Sequence, residues 1–332
     1  MKFKFVSSLL AVSTFMACTF MLLGPTWAAN DYPRKPITAV VSWPAGSGTG
    51  IVGQKLVSIM NQNKYLPQPI QLVYKPGGAG TIGLAEVLQG RADGYTIAYN
   101  PSAPIIIQPL VKELPYNHGS MIPVLMTARN PCVFVVPSDS PWKTIQEFLE
   151  YVKTHPGETM VGTAGEFTWL HLALLDLMKA SGLKFRHVPF QGDAPAVTAL
   201  LGGHVPIVAV QIGSASAQVV AGKLRILACL DEERSAFAPN APTIKELGYN
   251  VKGVLHTHIV TVPKATPQKI VVTLHDAFKK AMDTEDYSAF MKIVGSVPSY
   301  VGYKELPGLI DTSVKEIAQL LEGIGVKVRK VQ

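Results

Sequence analysis

The spacing of apolar positions along the chain changes repeatedly between the strand and helix periods. Ile37-Thr38-Ala39-Val40-Val41-Ser42-Trp43 reads as a buried strand, followed by a glycine loop and a helix over Val52–Asn61. Ile70–Tyr74 is a second strand, again followed by a glycine loop and then a helix over Thr81–Leu88, and Thr96–Tyr99 is a third strand. This βαβαβ order predicts parallel strands with helices on the sheet faces. Further on, Ile145, Phe148, Leu149 and Val152 recur at i, i+3, i+4, i+7 behind a Thr144-x-x-Glu147 capping box, which predicts an amphipathic helix ended by Pro156-Gly157. A short strand at Met160–Gly162 and a helix over Leu170–Ala180, stopped by Gly182, repeat the pattern. Residues 194–222 carry no charge, yet Gly202-Gly203 and Pro206 divide them into a short helix and a strand, so this run is buried core rather than a membrane span. Strands follow at Val205–Val210 and Leu224–Leu230, then a second capping box at Thr243-x-x-Glu246 and a strand-like run over 251–262. Thr266-Pro267 opens a helix with Ile270, Leu274, Phe278 and Met282 on one side, and a last helix carries Leu309, Ile310, Val314, Ile317, Leu321 and Ile324. The expected organisation is two α/β lobes. Residues 29–128 plus 252–332 form the first and 129–251 the second, so the chain crosses twice between them.

The N-terminus changes the meaning of the bulk composition. The chain has 332 residues, 48% hydrophobic and 16% charged, with a formal charge of +7. Lys2 and Lys4 precede an uncharged apolar run from Phe5 to Gly24, and small residues follow at Thr26 and Ala28. This is the three-part form of a secretory signal peptide, residues 1–28, with cleavage expected after Ala28 and a periplasmic destination. A retained anchor and lipidation at Cys18 are the alternatives. The remaining positive charge is spread along the chain, so no nucleic-acid partner is expected. Cys132 and Cys229 each lie in an apolar strand-like run, as buried thiols or, in an oxidising compartment, as a disulfide.

Two glycine loops carry the strongest local chemistry. Pro44-Ala45-Gly46-Ser47-Gly48-Thr49-Gly50 and Pro76-Gly77-Gly78-Ala79-Gly80-Thr81-Ile82-Gly83 each join a strand to a helix. Loops after parallel strands lie along the carboxyl edge of the sheet, where open α/β folds bind ligands. A helix N-terminus there offers unpaired N–H donors and about half a positive charge, which suits an anion. Glycines that merely turn the chain are the alternative. Gly48-Thr49-Gly50-Ile51-Val52-Gly53 matches G-x-G-x-x-G, but the next strand ends Val73-Tyr74-Lys75 without the carboxylate a dinucleotide ribose needs. No cofactor is expected.

A search for catalytic motifs finds no G-x-S-x-G, H-E-x-x-H, C-x-x-C or Walker loop, and no enzyme activity is expected. His256 and His258 stand at strand spacing on one face, either as an anion or metal pair or as a polar strand face. No acidic or cysteine partner lies nearby, and no metal site is assigned.

Taken in order, the motifs resemble the periplasmic receptors of tripartite tricarboxylate transporters, the Bug-type family. They are Tyr32-Pro33-Arg34-Lys35-Pro36-Ile37, Pro44-Ala45-Gly46-x-Gly48-Thr49, Gly78-Ala79-Gly80-Thr81-Ile82-Gly83 and Asp93-Gly94-Tyr95-Thr96. His171-Leu172, Val188-Pro189-Phe190-Gln191-Gly192, Leu200-Leu201-Gly202-Gly203, Ala221-Gly222-Lys223-Leu224-Arg225, Ala241-Pro242-Thr243 and Pro263-x-x-Thr266-Pro267 follow. The resemblance spans essentially the whole chain after the signal. It implies a two-lobed Venus-flytrap fold of the type II-like periplasmic-binding-protein class, each lobe a mainly parallel sheet flanked by helices. It also implies a monomer that captures a small organic acid and passes it to a two-component membrane permease. A ligand-sensing co-receptor for a membrane signalling protein is the alternative. The implied contacts are Ala45, Gly46, Ser47, Gly48, Thr49, Gly78, Ala79, Gly80 and Thr81 in the first lobe. In the second they fall near Thr168, His171, Gly192 and Asp193, and His256 and His258 stand in the returning segment. The sequence departs from the family at Gly50, where Asp is frequent, at Gly165-Glu166-Phe167-Thr168-Trp169-Leu170, and at Thr257 and Ile259, where Trp-x-Gly is frequent. Phe167 and Trp169 are core, or else an apolar wall for an aromatic or aliphatic acid.

Overall fold

The computed structural model describes residues 32–251 and 256–329. The expected signal peptide, its cleavage point after Ala28 and the 252–255 part of the expected 251–262 strand lie outside the described residues. Among the described residues no helix is long and apolar enough to cross a membrane.

The chain begins with β1 (Ile37–Val41), α1 (Gly48–Gln62), β2 (Ile70–Tyr74), α2 (Thr81–Gln89) and β3 (Thr96–Pro101). Two helical turns, Ala103–Ile106 and Gln108–Val111, lead to β4 (Met121–Arg129). Then come β5 (Cys132–Pro137), α3 (Ile145–Thr154), β6 (Met160–Thr163), α4 (Trp169–Ser181), β7 (Arg186–Pro189), α5 (Asp193–Leu201), β8 (Ile207–Gln211), α6 (Ile212–Val220) and β9 (Leu224–Cys229). β10 (Thr257–Pro263), α7 (Gln268–Met282), α8 (Glu285–Ile293), β11 (Val297–Gly302) and α9 (Leu306–Gly323) complete it.

Two mixed sheets flanked by helices make a two-lobed α/β fold. The strand orders are β11-β4-β10-β3-β1-β2 and β7-β6-β8-β5-β9. The expectation of mainly parallel sheets needs correcting. β2-β1-β3 and β7-β6-β8 are parallel, but the other pairings between these strands are antiparallel. Parallel pairing needs a crossover connection. β5 instead enters its sheet two residues after β4 leaves the other, and β10 brings the chain back.

Local chemistry sets where several helices begin and end. The Thr144 hydroxyl accepts from Glu147 N while Glu147 returns to Thr144 N, so the capping box forms as read and fixes the start of α3. The apolar face of α3 is buried, with Phe148 stacked on Phe185 at 5.8 Å and edge-on to Trp142 at 5.1 Å. The Thr243–Glu246 box also forms, but over a single 3-10 turn, Lys245–Leu247. Gly182 ends α4 in the left-handed region at φ 72°. Cys132 and Cys229 are free buried thiols. Val133 pairs directly with Cys229, so Cys132 points to the opposite face of the sheet, and β geometry keeps the two sulfurs apart.

Candidate functional site

Five helices begin at one cleft. α1 and α2 start from the carboxyl ends of β1 and β2, and α4, α5 and α6 start from those of β6, β7 and β8. Cross-cleft bonds draw the two sets of loops together. Gly48 N donates to Ser214 Oγ at 2.8 Å, and Trp169 Nε1 donates to Ser102 Oγ at 2.8 Å. Gln108 Nε2 donates to the carbonyls of Glu166 and Phe167 at 2.8 and 2.9 Å. His258 Nε2 lies 3.1 Å from Gln211 Oε1. A Cβ placed on Gly46 or Gly165 would sit 3.8 Å from Ala194 Cβ or 3.6 Å from Ala79 Cβ, so the glycine loops face their second-lobe counterparts directly.

In the first loop, Ser47 caps α1 by accepting from Gly50 N at 3.2 Å. Ala45 and Gly46 are exposed, whereas Thr49 is buried with its hydroxyl 3.0 Å from His258 Nε2. The second loop turns through four successive left-handed residues, Gly77 (φ 135°), Gly78 (59°), Ala79 (56°) and Gly80 (88°). Only Ala79 carries a side chain there, at a cost of about 1 kcal/mol. Gly80 N donates to Gly77 O and Thr81 N to Gly78 O, so the turn uses two of its own N–H groups internally.

In the second lobe, Thr168 caps α4. Its hydroxyl donates to Gly165 O and accepts from His171 N, so that proton is committed within the loop. His171 Nδ1 accepts from Phe167 N at 3.0 Å, which places the imidazole proton on Nε2. The ring stacks on His187 at 3.8 Å, and burial and then that neighbour lower its pKa to about 3. Phe167 is half-buried against His171, and Trp169 is buried with its indole N–H bonded across the cleft. Trp169 is therefore a bridge between the lobes as well as part of the core.

Asp193, the first residue of α5, is buried and accepts from Gln211 N at 3.3 Å and Gln211 Nε2 at 2.8 Å. Burial pushes its carboxyl up to about 7. Gln211 thus links Asp193 to His258, which also lies 3.0 Å from Asn130 Nδ2 and edge-on to Tyr99 at 5.7 Å. His256 and His258 are both buried. Burial lowers His256 to about 3, and burial together with His256 holds His258 well below the ordinary value. The pair forms an interior floor, and His258 reaches the cleft through Thr49 and Gln211.

No lysine or arginine occurs in Pro44–Gly50, Gly77–Ile82, Ser102–Pro104, Ala164–Trp169, Phe190–Asp193 or Gln211–Ser214. With His171, His187, His256 and His258 all held towards the neutral form, an anion here meets helix N-termini and neutral donors. Sequence reading missed Trp43, Ser102, Gln108, Gln211 and Ser214. Trp43, Ser102, Gln211 and Ser214 lie at or just beyond the carboxyl end of a strand, and that position was the available signal, whereas Gln108 opens the second helical turn after β3 and gave no such sign.

Residues 56–326 match the family model described as the tripartite tricarboxylate transporter family receptor. The chain is 35% identical over 300 residues to the "UPF0065 protein in gbd 5'region" of Cupriavidus necator, covering 90% of each. Its fold matches the periplasmic binding protein BugD with a TM-score of 0.84 and 27% identity, over 89% of this chain and 99% of that one. It also matches MatC from Rhodopseudomonas palustris with bound malate, at a TM-score of 0.80 and 25% identity over 87% and 100% of the two chains.

Proposed function

The chain belongs to the tripartite tricarboxylate transporter receptor family, a family of solute-binding receptors rather than enzymes, and on that premise we propose that it captures a small organic carboxylate between its lobes in the periplasm and delivers it to a two-component permease. The observation that carries this reading is the convergence of five helix N-termini on one cleft whose loop segments among the described residues carry no lysine or arginine. The bound malate of MatC supports the ligand class. The halves that close are 29–128 with 252–332, and 129–251. The carboxylate lies against Ala45 and Gly46 on one loop and Gly78, Ala79 and Gly80 on the other. Ser47, Gly48, Thr49 and Thr81 shape these loops, Thr168, His171, Gly192 and Asp193 shape the facing wall, and His256 and His258 form the floor. The receptor acts as a monomer, and closure on the ligand presents the surface that the permease recognises.

Thermal unfolding with malate, succinate, adipate and benzoate at 10 mM tests this. An acid present at about 100 times its Kd adds about 2.7 kcal/mol, or roughly 5 °C in Tm for a chain of this size. If no acid of the panel raises Tm, the carboxylate assignment is wrong.

A further inference from the structure

We propose that the indole N–H of Trp43 is a ligand donor that completes the carboxylate site at the Gly77–Gly80 turn. This inference rests on the carboxylate reading. Trp43 follows β1 after one intervening residue, Ser42, and is 6% exposed. Its Nε1 is buried and has no hydrogen-bond partner among the described residues. The other cleft indole, Trp169, does have one, Ser102 Oγ. A buried donor left without an acceptor costs about 1–3 kcal/mol, and one that borders a ligand cleft has an account in the ligand itself.

The placement of the ring identifies that acceptor. A Cβ on Gly80 would stand 3.3 Å from both Trp43 Nε1 and Cζ2, so the N–H edge lies beside the second glycine turn. A Cβ on Gly192 would stand 3.5 Å from Trp43 Cε3, so the far edge lies against the opposite lobe. The indole spans the seam between the two loops. The turn itself is short of donors, because Gly80 N and Thr81 N are spent on Gly77 O and Gly78 O. A carboxylate approaching Gly78 and Ala79 therefore reaches one further donor, Trp43 Nε1–H. That donor is neutral and rigid, and it loses little conformational entropy on binding.

Two measurements test this with whichever panel acid gives the largest Tm rise in wild type. In calorimetry, Trp43→Phe keeps an aromatic ring and removes the donor, and affinity is expected to fall about 10-fold while the ligand-free Tm is unchanged or higher. A ring that serves packing alone would lower the ligand-free Tm and leave affinity near wild type, and that result overturns the proposal. On wild-type protein, the Trp43 Nε1–H proton resonance is expected to move downfield at saturation, with Trp142 as an unmoved reference. A Trp43 signal that stays in place overturns the proposal even if the variant does not fold. Failure of every acid to bind wild type would overturn the carboxylate reading. Wild-type binding with Trp43→Phe unaltered overturns only the role of Trp43.

Discussion

Gly80→Val is expected to reduce carboxylate affinity at least 100-fold while leaving the protein folded. Two effects add. Gly80 has φ 88°, which a β-branched residue adopts at a cost of about 1–2 kcal/mol. Its Cβ would also lie 3.1 Å from Pro104 Cγ and 3.3 Å from Trp43. Neither ring swings aside easily, since Pro104 opens a helical turn and Trp43 is wedged between Gly80 and Gly192. The turn must therefore move, and with it the N–H groups of Gly78 and Ala79. Gly222→Val separates the effects. Gly222 has φ 70° and nothing within 4 Å of a Cβ, so it pays the backbone cost alone. Calorimetry should show a larger loss of Tm in Gly80→Val than in Gly222→Val, with ligand affinity lost only in Gly80→Val. Equal affinity in the two would move the site away from this turn.

Most of the fold could be read from the sequence wherever apolar period and capping agree. α3 begins at the capping box, and α7 follows Pro267 with Leu274, Phe278 and Met282 buried as expected. The readings missed elements whose burial depends on distant partners. β11 is an edge strand whose residues are mostly exposed or half-buried, so it shows no alternation. α6 lies in the charge-free run, where periodicity gives no contrast between faces. At the site, the glycine loops were visible because tight turns demand glycine locally. Gln211 and Ser102 were not, because their roles depend on partners that only folding brings to them, His258 and Asp193 for the one and Trp169 for the other. A polar residue at a strand end gives no sign of which partner folding will bring to it. The same holds for His256 and His258. Strand spacing puts them on one face, but only packing shows that face to be interior.

That interior placement predicts a pronounced loss of stability in acid. His171 and His256 are lowered to about 3 and His258 is well below its ordinary 6.5, in each case chiefly by burial, and His187 moves in the same direction. Such groups bind protons more readily when unfolded. Their contribution is complete above about pH 6.5 and is lost as pH falls towards 3. Asp193 and Asp231, both pushed up to about 7 by burial, act in the opposite sense. Their contribution is complete below the ordinary carboxylate value near 3.8 and is lost as pH rises through 7. Below pH 6 the lowered histidines outnumber the two raised carboxyls, so stability, and Tm with it, should fall on acidification towards pH 4. Asp193→Asn removes one opposing carboxyl and should steepen the slope, while raising Tm at pH 8, where the wild-type charge is buried. His256→Leu should flatten it. Thermal scans of the three proteins from pH 4 to 8 check both signs, and a wild-type Tm that rises on acidification would show that the histidines are not held neutral in the folded protein.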